Sequence, residues 1–284
     1  MWRQGTPVDG LHVVVSGEAQ VCRRLPGERE LELARIGPGD VLGEIPLLDG
    51  GTHSASVRAL TPASLLFLDR AEFDARMLSR QPGALELRRR IVAIACDRLR
   101  RAHGALIEPG AEPPLGRWQT RPAAWARQPG TEVAQPPLGY VARLPLFRDM
   151  PAALVATLLE VGATRHMPRG EVVVRAGATP ATFYLTLNGA VEDVLAAGAA
   201  EIRVGFAGPG RAFGYLGLLD GGMATATSVA RERSTILAIG AAEFRTLLQA
   251  GDGRPGTFAT AVERDLMIGL RQAERPICWL CGAT

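Results

Sequence analysis

Gly37-Pro38-Gly39-Asp40-Val41-Leu42-Gly43-Glu44-Ile45-Pro46-Leu47-Leu48-Asp49-Gly50-Gly51 returns, partly rewritten, as Gly208-Pro209-Gly210-Arg211-Ala212-Phe213-Gly214-Tyr215-Leu216-Gly217-Leu218-Leu219-Asp220-Gly221-Gly222. The offset of 171 residues persists outward: Ala55 aligns with Ala226, and Glu72-Phe73 with Glu243-Phe244. One slip makes it 172, and Gly17 then aligns with Gly189 and Gly5 with Gly177. A single offset held over this span predicts two copies of one domain.

The chain has 284 residues, enough for two domains that each bury a core. No run of 18 strongly apolar residues occurs, so no membrane span is expected. Residues 1–7 lack a charged and then apolar signal segment, which makes the cytoplasm the expected location. A net charge of +3 is too mild to imply nucleic acid. The four cysteines, Cys22, Cys96, Cys278 and Cys281, are too scattered for a disulfide framework and read as cytosolic thiols.

Each copy reads as short β-branched strands bounded by Gly and Pro turns. Residues 11–15 end at Ser16-Gly17, Leu31 and Leu33 alternate with Glu30 and Glu32, and Leu65-Leu66-Phe67-Leu68 supplies a further strand. Copy two repeats the layout in 183–187 and 236–239. Strands at this spacing predict a sandwich or barrel. Helices are expected over 70–79, 85–106 and 151–160, and one amphipathic helix over 257–281. Residues 108–138 carry seven prolines and read as an extended linker, with Trp118 and Trp125 as docking candidates. Three segments follow: domain 1 over 1–108, linker over 109–138 and domain 2 over 139–284. Copy two has a helix and the strand 171–175 ahead of its repeat, for which copy one has no counterpart; either copy one's start is truncated or it folds with an open sheet edge.

The repeated run resembles the phosphate-binding cassette of cyclic nucleotide-binding domains: Gly-x-x-x-Gly-Glu, an aliphatic and a small residue, Leu-Leu, a short gap, then Arg-[Ser/Thr]-Ala. The resemblance implies an α+β fold, mostly β with helices: two jelly-roll-like β-rolls, each followed by helices. It implies cyclic AMP or cyclic GMP as ligand. The physical logic is direct. Backbone N–H groups at a helix start face an anion, glycine lets the backbone approach, arginine presents a fixed fork to phosphate, and glutamate accepts the ribose hydroxyl proton.

Copy one keeps half of this set. Its expected ligand residues are Gly43, Glu44, Ile45, His53, Ser54 and Ala55, with Glu44 for the ribose and His53 in the arginine position. Pro46 removes one N–H. A histidine is mostly neutral at pH 7, so binding would be weak. Copy two aligns Gly214, Tyr215, Leu216, Ala224, Thr225 and Ala226, and so lacks both the glutamate and the arginine. It is expected to keep the fold rather than the ligand.

No catalytic constellation, metal cluster or cofactor motif is apparent, so no enzyme is expected. The expected function is a regulatory ligand sensor acting on an effector protein. A ligand-independent interaction or dimerisation scaffold is the alternative, and a transcription regulator lacking its DNA-binding part is the second. Arg88, Arg89, Arg90, Arg98, Arg100 and Arg101 crowd one helix, read as the solvated side of a packed helix that could also pair in a homodimer. The residues after copy two are too few for a helix-turn-helix, so DNA binding is not expected. Cys278 and Cys281 read as a functionless tail, since a zinc site needs about four ligands.

Overall fold

The computed structural model describes residues 1–24, 29–104, 106, 130–197, 200–251 and 256–282. The chain divides into two compact units, Met1–Ala95 with Ile277–Thr284, and Cys96–Pro276. Most of the proline-rich stretch, with Trp118 and Trp125, lies outside the described residues.

In the first unit the strands are β1 (Gly10–Ser16), β2 (Ala19–Arg24), β3 (Glu30–Ile36) and β4 (Val41–Leu42). Helix α1 (Glu44–Asp49), β5 (Ser56–Ala59), β6 (Ser64–Asp69), α2 (Arg70–Leu78) and α3 (Pro82–Gly104) follow. They form two three-stranded sheets, β4-β1-β6 and β3-β2-β5. Val14 and Leu42 of one sheet meet Ala19, Ile36 and Val57 of the other in a shared apolar cluster. Strand alternation supplies these inward faces. Asp69 caps α2 by accepting from the N–H groups of Ala71 and Glu72.

The second unit adds β7 (Thr131–Glu132), α4 (Leu138–Val141), α5 (Ala152–Val161), β8 (Ala163–Met167), β9 (Val172–Val174), β10 (Thr182–Asn188), β11 (Val191–Ala197) and β12 (Ala200–Ala207). Then come β13 (Ala212–Phe213), α6 (Leu216–Asp220), β14 (Thr227–Ala230), β15 (Ser234–Gly240), α7 (Ala241–Gly251) and α8 (Phe258–Gly282). Its sheets run β13-β10-β15-β8-β7 and β12-β11-β14-β9. Met167, Tyr184, Phe213 and Ile236 of one sheet pack against Val173, Val191 and Ala230 of the other. Phe183, Phe244 and Phe258 tie β10, α7 and α8 together, with ring centroids 5.1–5.7 Å apart. Cys278 and Cys281 lie in the last turns of α8; their side chains are outside the described set. Among the described residues, no helix is long and apolar enough to cross a membrane.

The repeat holds down to single hydrogen bonds. Gly5 N–H donates to His53 O at 2.9 Å, and Gly177 N–H to Ala224 O at 2.7 Å. His53 N–H donates to Thr6 O at 3.0 Å, and Ala224 N–H to Ala178 O at 2.9 Å. The same bulge interrupts both β1, at Val14/Ser16, and β10, at Thr186/Asn188.

Two parts of the layout depart from the linear reading. The end of the proline-rich stretch is paired: Thr131 and Glu132 lie on β8, and Val133 N–H donates to Thr164 O at 2.9 Å. Backbone donors beside a sheet edge recruit it. The open edge is not where the missing counterpart of 171–175 puts it: Trp2 bridges Val57 as Val174 of β9 pairs with Ser228, and it is β6 that pairs with β1 alone among the described strands, whereas its counterpart β15 also carries β8. Leu66 is accordingly 62% exposed, while its counterpart Leu237 is 0% exposed.

Candidate functional site

Each cassette turns on a left-handed glycine. Gly43 has φ +83° and Gly214 φ +71°, a conformation that other residues adopt only under strain. A Cβ on Gly43 would stand 2.8 Å from Gly10 O, and one on Gly214 the same distance from Val174 Cγ2. The short helix follows at once in copy one, with Glu44 as its first residue, and one residue later in copy two, where Tyr215 is the N-cap. Pro46 fits the first turn of α1, whose N–H groups have no helical partner.

In copy one Glu44 is 3% exposed, and Ile45 and Ala55 are buried. Arg70 donates to Pro46 O at 2.6 Å and Leu47 O at 3.1 Å, holding the cassette helix by its carbonyls. His53 is not the exposed loop histidine that its neighbours Thr52 and Ser54 suggest: it is 6% exposed and its ring stacks on Trp2, centroids 4.8 Å apart at 22°. The row of rings continues from Trp2 to His12 at 5.0 Å and from His12 to Phe67 at 4.8 Å. Burial lowers the pKa of both histidines, against the opposing charge of Asp9, so both are neutral at pH 7. The buried Nδ1 of His12 has no hydrogen-bond partner.

In copy two a cavity of about 80 Å³ is lined by all six of the aligned residues, Gly214, Tyr215, Leu216, Ala224, Thr225 and Ala226. Tyr215 occupies the glutamate position but turns to α8, where its hydroxyl donates to Asp265 Oδ2 at 2.9 Å. Arg211 pairs with the same carboxylate at 2.9 Å, and Asp265 is 4% exposed. Burial raises the pKa of Asp265, while Arg211 and Tyr215 oppose that shift. The last turns of α3, which belong to this unit, bind the other side of the cassette. Arg100 makes a two-pronged ion pair with Asp220 at 2.6 and 2.7 Å and donates to Met223 O at 2.7 Å. Gly222 leaves room for that guanidinium, since a Cβ there would lie 2.3 Å from Nη2. His103 Nδ1 sits 2.7 Å from Thr225 Oγ1, and burial pushes its pKa down to about 4. Asp193, on β11, also lines the cavity; it accepts from Ser228 Oγ at 2.5 Å, and burial pushes its pKa up to about 6.

In copy two the six aligned residues line one cavity; in copy one Gly43, Glu44 and Ile45 start α1 while His53 stacks on Trp2, and in both copies further residues that sequence reading missed stand beside them. Trp2 and His12 join copy one; Arg100, His103, Asp193 and Asp265 join copy two. None sits within the repeated run, and only the strand and helix periodicities that place Asp193 and Asp265 hinted at inward faces. The arginine-rich helix divides as well. Arg89 and Arg90 pair with Glu86, and Arg101 with Asp97, as a solvated face does. Arg88, by contrast, is buried, and Arg100 belongs to the cassette. Among the described residues, no group of three or more His, Cys, Asp or Glu could hold a metal ion.

A family model described as the cyclic nucleotide-binding domain matches residues 1–80 and 164–250. The CRP-like cAMP-activated global transcriptional regulator of Mycobacterium tuberculosis is 28% identical over 108 residues, covering 38% of this chain and 46% of the regulator. The cyclic AMP receptor protein of Thermus thermophilus is 34% identical over 109 residues, covering 36% of this chain and 49% of that protein. The chain thus spans about half the length of the curated relatives it matches. Among solved structures, the regulatory domain of Toxoplasma gondii PKA with cAMP is similar at 20% identity and TM-score 0.37, covering 89% of this chain and 78% of that one.

Proposed function

The chain belongs to the cyclic nucleotide-binding domain family, and from that premise we propose a regulatory ligand sensor in which copy one alone takes a cyclic nucleotide. The observation that carries this reading is Glu44: it opens α1 directly after left-handed Gly43 and is buried at the cassette. There it can accept a ribose hydroxyl while Gly43 and Ile45 offer backbone to the phosphate and residues 53–55 close the opposite side. The orphaned His12 Nδ1 supports a polar ligand, because an unmet buried group costs about 1–3 kcal/mol. Binding requires the Trp2 ring to leave His53; the phosphate then favours protonation of His53. Replacing a charged arginine bond with this induced one lowers affinity by about 10- to 150-fold. In this reading the module is a cytoplasmic regulator of an effector protein.

Calorimetric titration with cyclic AMP and cyclic GMP tests this reading. Weak binding that disappears in Glu44→Ala is expected; no heat and no thermal shift at millimolar nucleotide would remove it.

A second reading, an interaction scaffold that needs no ligand, is favoured by one observation. The copy-two cassette is already held by its own chain, through Arg100–Asp220, His103–Thr225 and Tyr215–Asp265. Full partner binding by Glu44→Ala would support it.

A further inference from the structure

The copy-two cavity keeps the shape of a ligand site but not the charge of one built for an anion. Its ionisable lining residues are His103, Asp193, Arg211, Tyr215 and Asp265. Arg211 and Asp265 face each other at 2.9 Å and cancel, with Tyr215 donating to the same carboxylate. His103 is neutral at pH 7, because burial holds its pKa near 4. Glu192, beside Asp193 on β11, is paired with Arg203 and Arg231. What remains is the Asp193 carboxylate. Its Oδ1 accepts from Ser228. Its Oδ2 lies beside Gly205, where the absence of a side chain makes room for the carboxylate, since a Cβ there would come within 3.0 Å of it. Copy one has Val21 at the matching place on its strand, paired with Val57 as Asp193 pairs with Ser228. The carboxylate is therefore an addition of copy two. Around it the cavity is walled by Leu99, Val174, Val204, Phe206 and Leu266.

We propose that the copy-two cavity binds a small organic cation, an ammonium or amidinium group on an apolar body, with Asp193 as its counter-charge. An apolar enclosure strengthens the attraction between one carboxylate and one cation. The same enclosure makes a phosphate costly next to Asp193 when no arginine stands at Ala224. The proposal rests on the reading that copy two has lost the nucleotide, and it is independent of whether copy one binds one.

The test is calorimetry on the full chain carrying Glu44→Ala, which silences copy one. The probes are phenethylamine, benzamidine, the neutral isostere 2-phenylethanol, and cyclic AMP. At pH 7.5 phenethylamine or benzamidine is expected to bind at least about 10-fold tighter than 2-phenylethanol, the range of one charge-assisted hydrogen bond. The cation preference should shrink at pH 5, where Asp193 is protonated, and vanish in Asp193→Asn. A second readout does not depend on that variant folding: titrations at pH 6 in two buffers of different ionisation heat should show proton release, because a cation favours ionised Asp193. Binding of the ammonium probe alone would assign the amine class, and of benzamidine alone the amidine class. No binding by either cation, equal binding of the neutral isostere, or displacement of the bound cation by cyclic AMP would each overturn the proposal.

Discussion

The two cassettes share a backbone and differ in what holds it. In copy one the chain grips the cassette helix through Arg70, and His53 is stacked at the end of a row of rings that runs through Trp2 and His12 to Phe67. In copy two Arg100 grips from α3, Tyr215 and Arg211 bind Asp265 of α8, and a cavity remains. Left-handed glycines and a few backbone hydrogen bonds suffice to conserve the frame. The side chains on that frame have then diverged in opposite directions, one copy keeping the acid of the motif and the other converting its place into a tie between elements.

The contrast can be broken most forcefully at Asp265. Asp265→Ala leaves Arg211 unpaired in a buried place and Tyr215 without its acceptor, at a cost of about 3–5 kcal/mol; chemical denaturation should show the copy-two transition moving to lower denaturant. A stable Asp265→Ala protein would mean that the tie is not structural. Next comes the covered edge against the open one. Leu237→Ala removes a fully buried side chain and should cost about 2–5 kcal/mol, whereas Leu66→Ala at the exposed counterpart should fall within about 0.5 kcal/mol. Equal losses would show that β6 is covered in solution.

Arg100→Ala is smaller. The pair is partly exposed, with 25% and 18% of the two side chains accessible, so screening leaves about 1–2 kcal/mol for the lost ion pair and the Met223 carbonyl bond. Hydrogen exchange should rise over 214–226 and not over 43–55.

The smallest net effect in the parent comes from two opposed pH slopes that offset each other. The pKa of His103 falls on folding to about 4, so its contribution is present above the ordinary histidine value near 6.5 and is lost as pH falls through 4. The pKa of Asp193 rises on folding to about 6, so folding holds a proton and stability falls as pH climbs from 3.8 toward 6. Thermal melts of His103→Gln between pH 4 and 6.5 should flatten relative to the parent, and those of Asp193→Asn should rise more steeply with pH. Parallel profiles for all three proteins would contradict the assigned burial.

Much of this architecture was legible in the sequence. The duplication, the cassettes, α5, α8 and the turns at Gly17 and Gly189 follow from local signals of turn residues and periodicity. The unpaired edge was misplaced, because the absent counterpart of 171–175 pointed to β5, whereas the structure leaves β6 unpaired on that side. The site chemistry was less legible, because its decisive contacts join distant residues. Trp2 reaches His53 only because the first residues lie along β5, and that pairing turns an ordinary loop histidine into a buried neutral ring. Asp193, Asp265 and His103 come from a strand and two helices, and each alone reads as an ordinary polar residue. Arg100 was hidden among the neighbouring arginines of a helix whose other charges do face solvent.

The most direct measurement is the number of cyclic nucleotides held per chain at saturation, by equilibrium dialysis with labelled cyclic AMP on the parent, Glu44→Gln and Tyr215→Phe proteins. The account predicts one nucleotide for the parent and for Tyr215→Phe, and none for Glu44→Gln over the same concentrations. Two nucleotides per chain, or one that persists in Glu44→Gln and is lost in Tyr215→Phe, would contradict it.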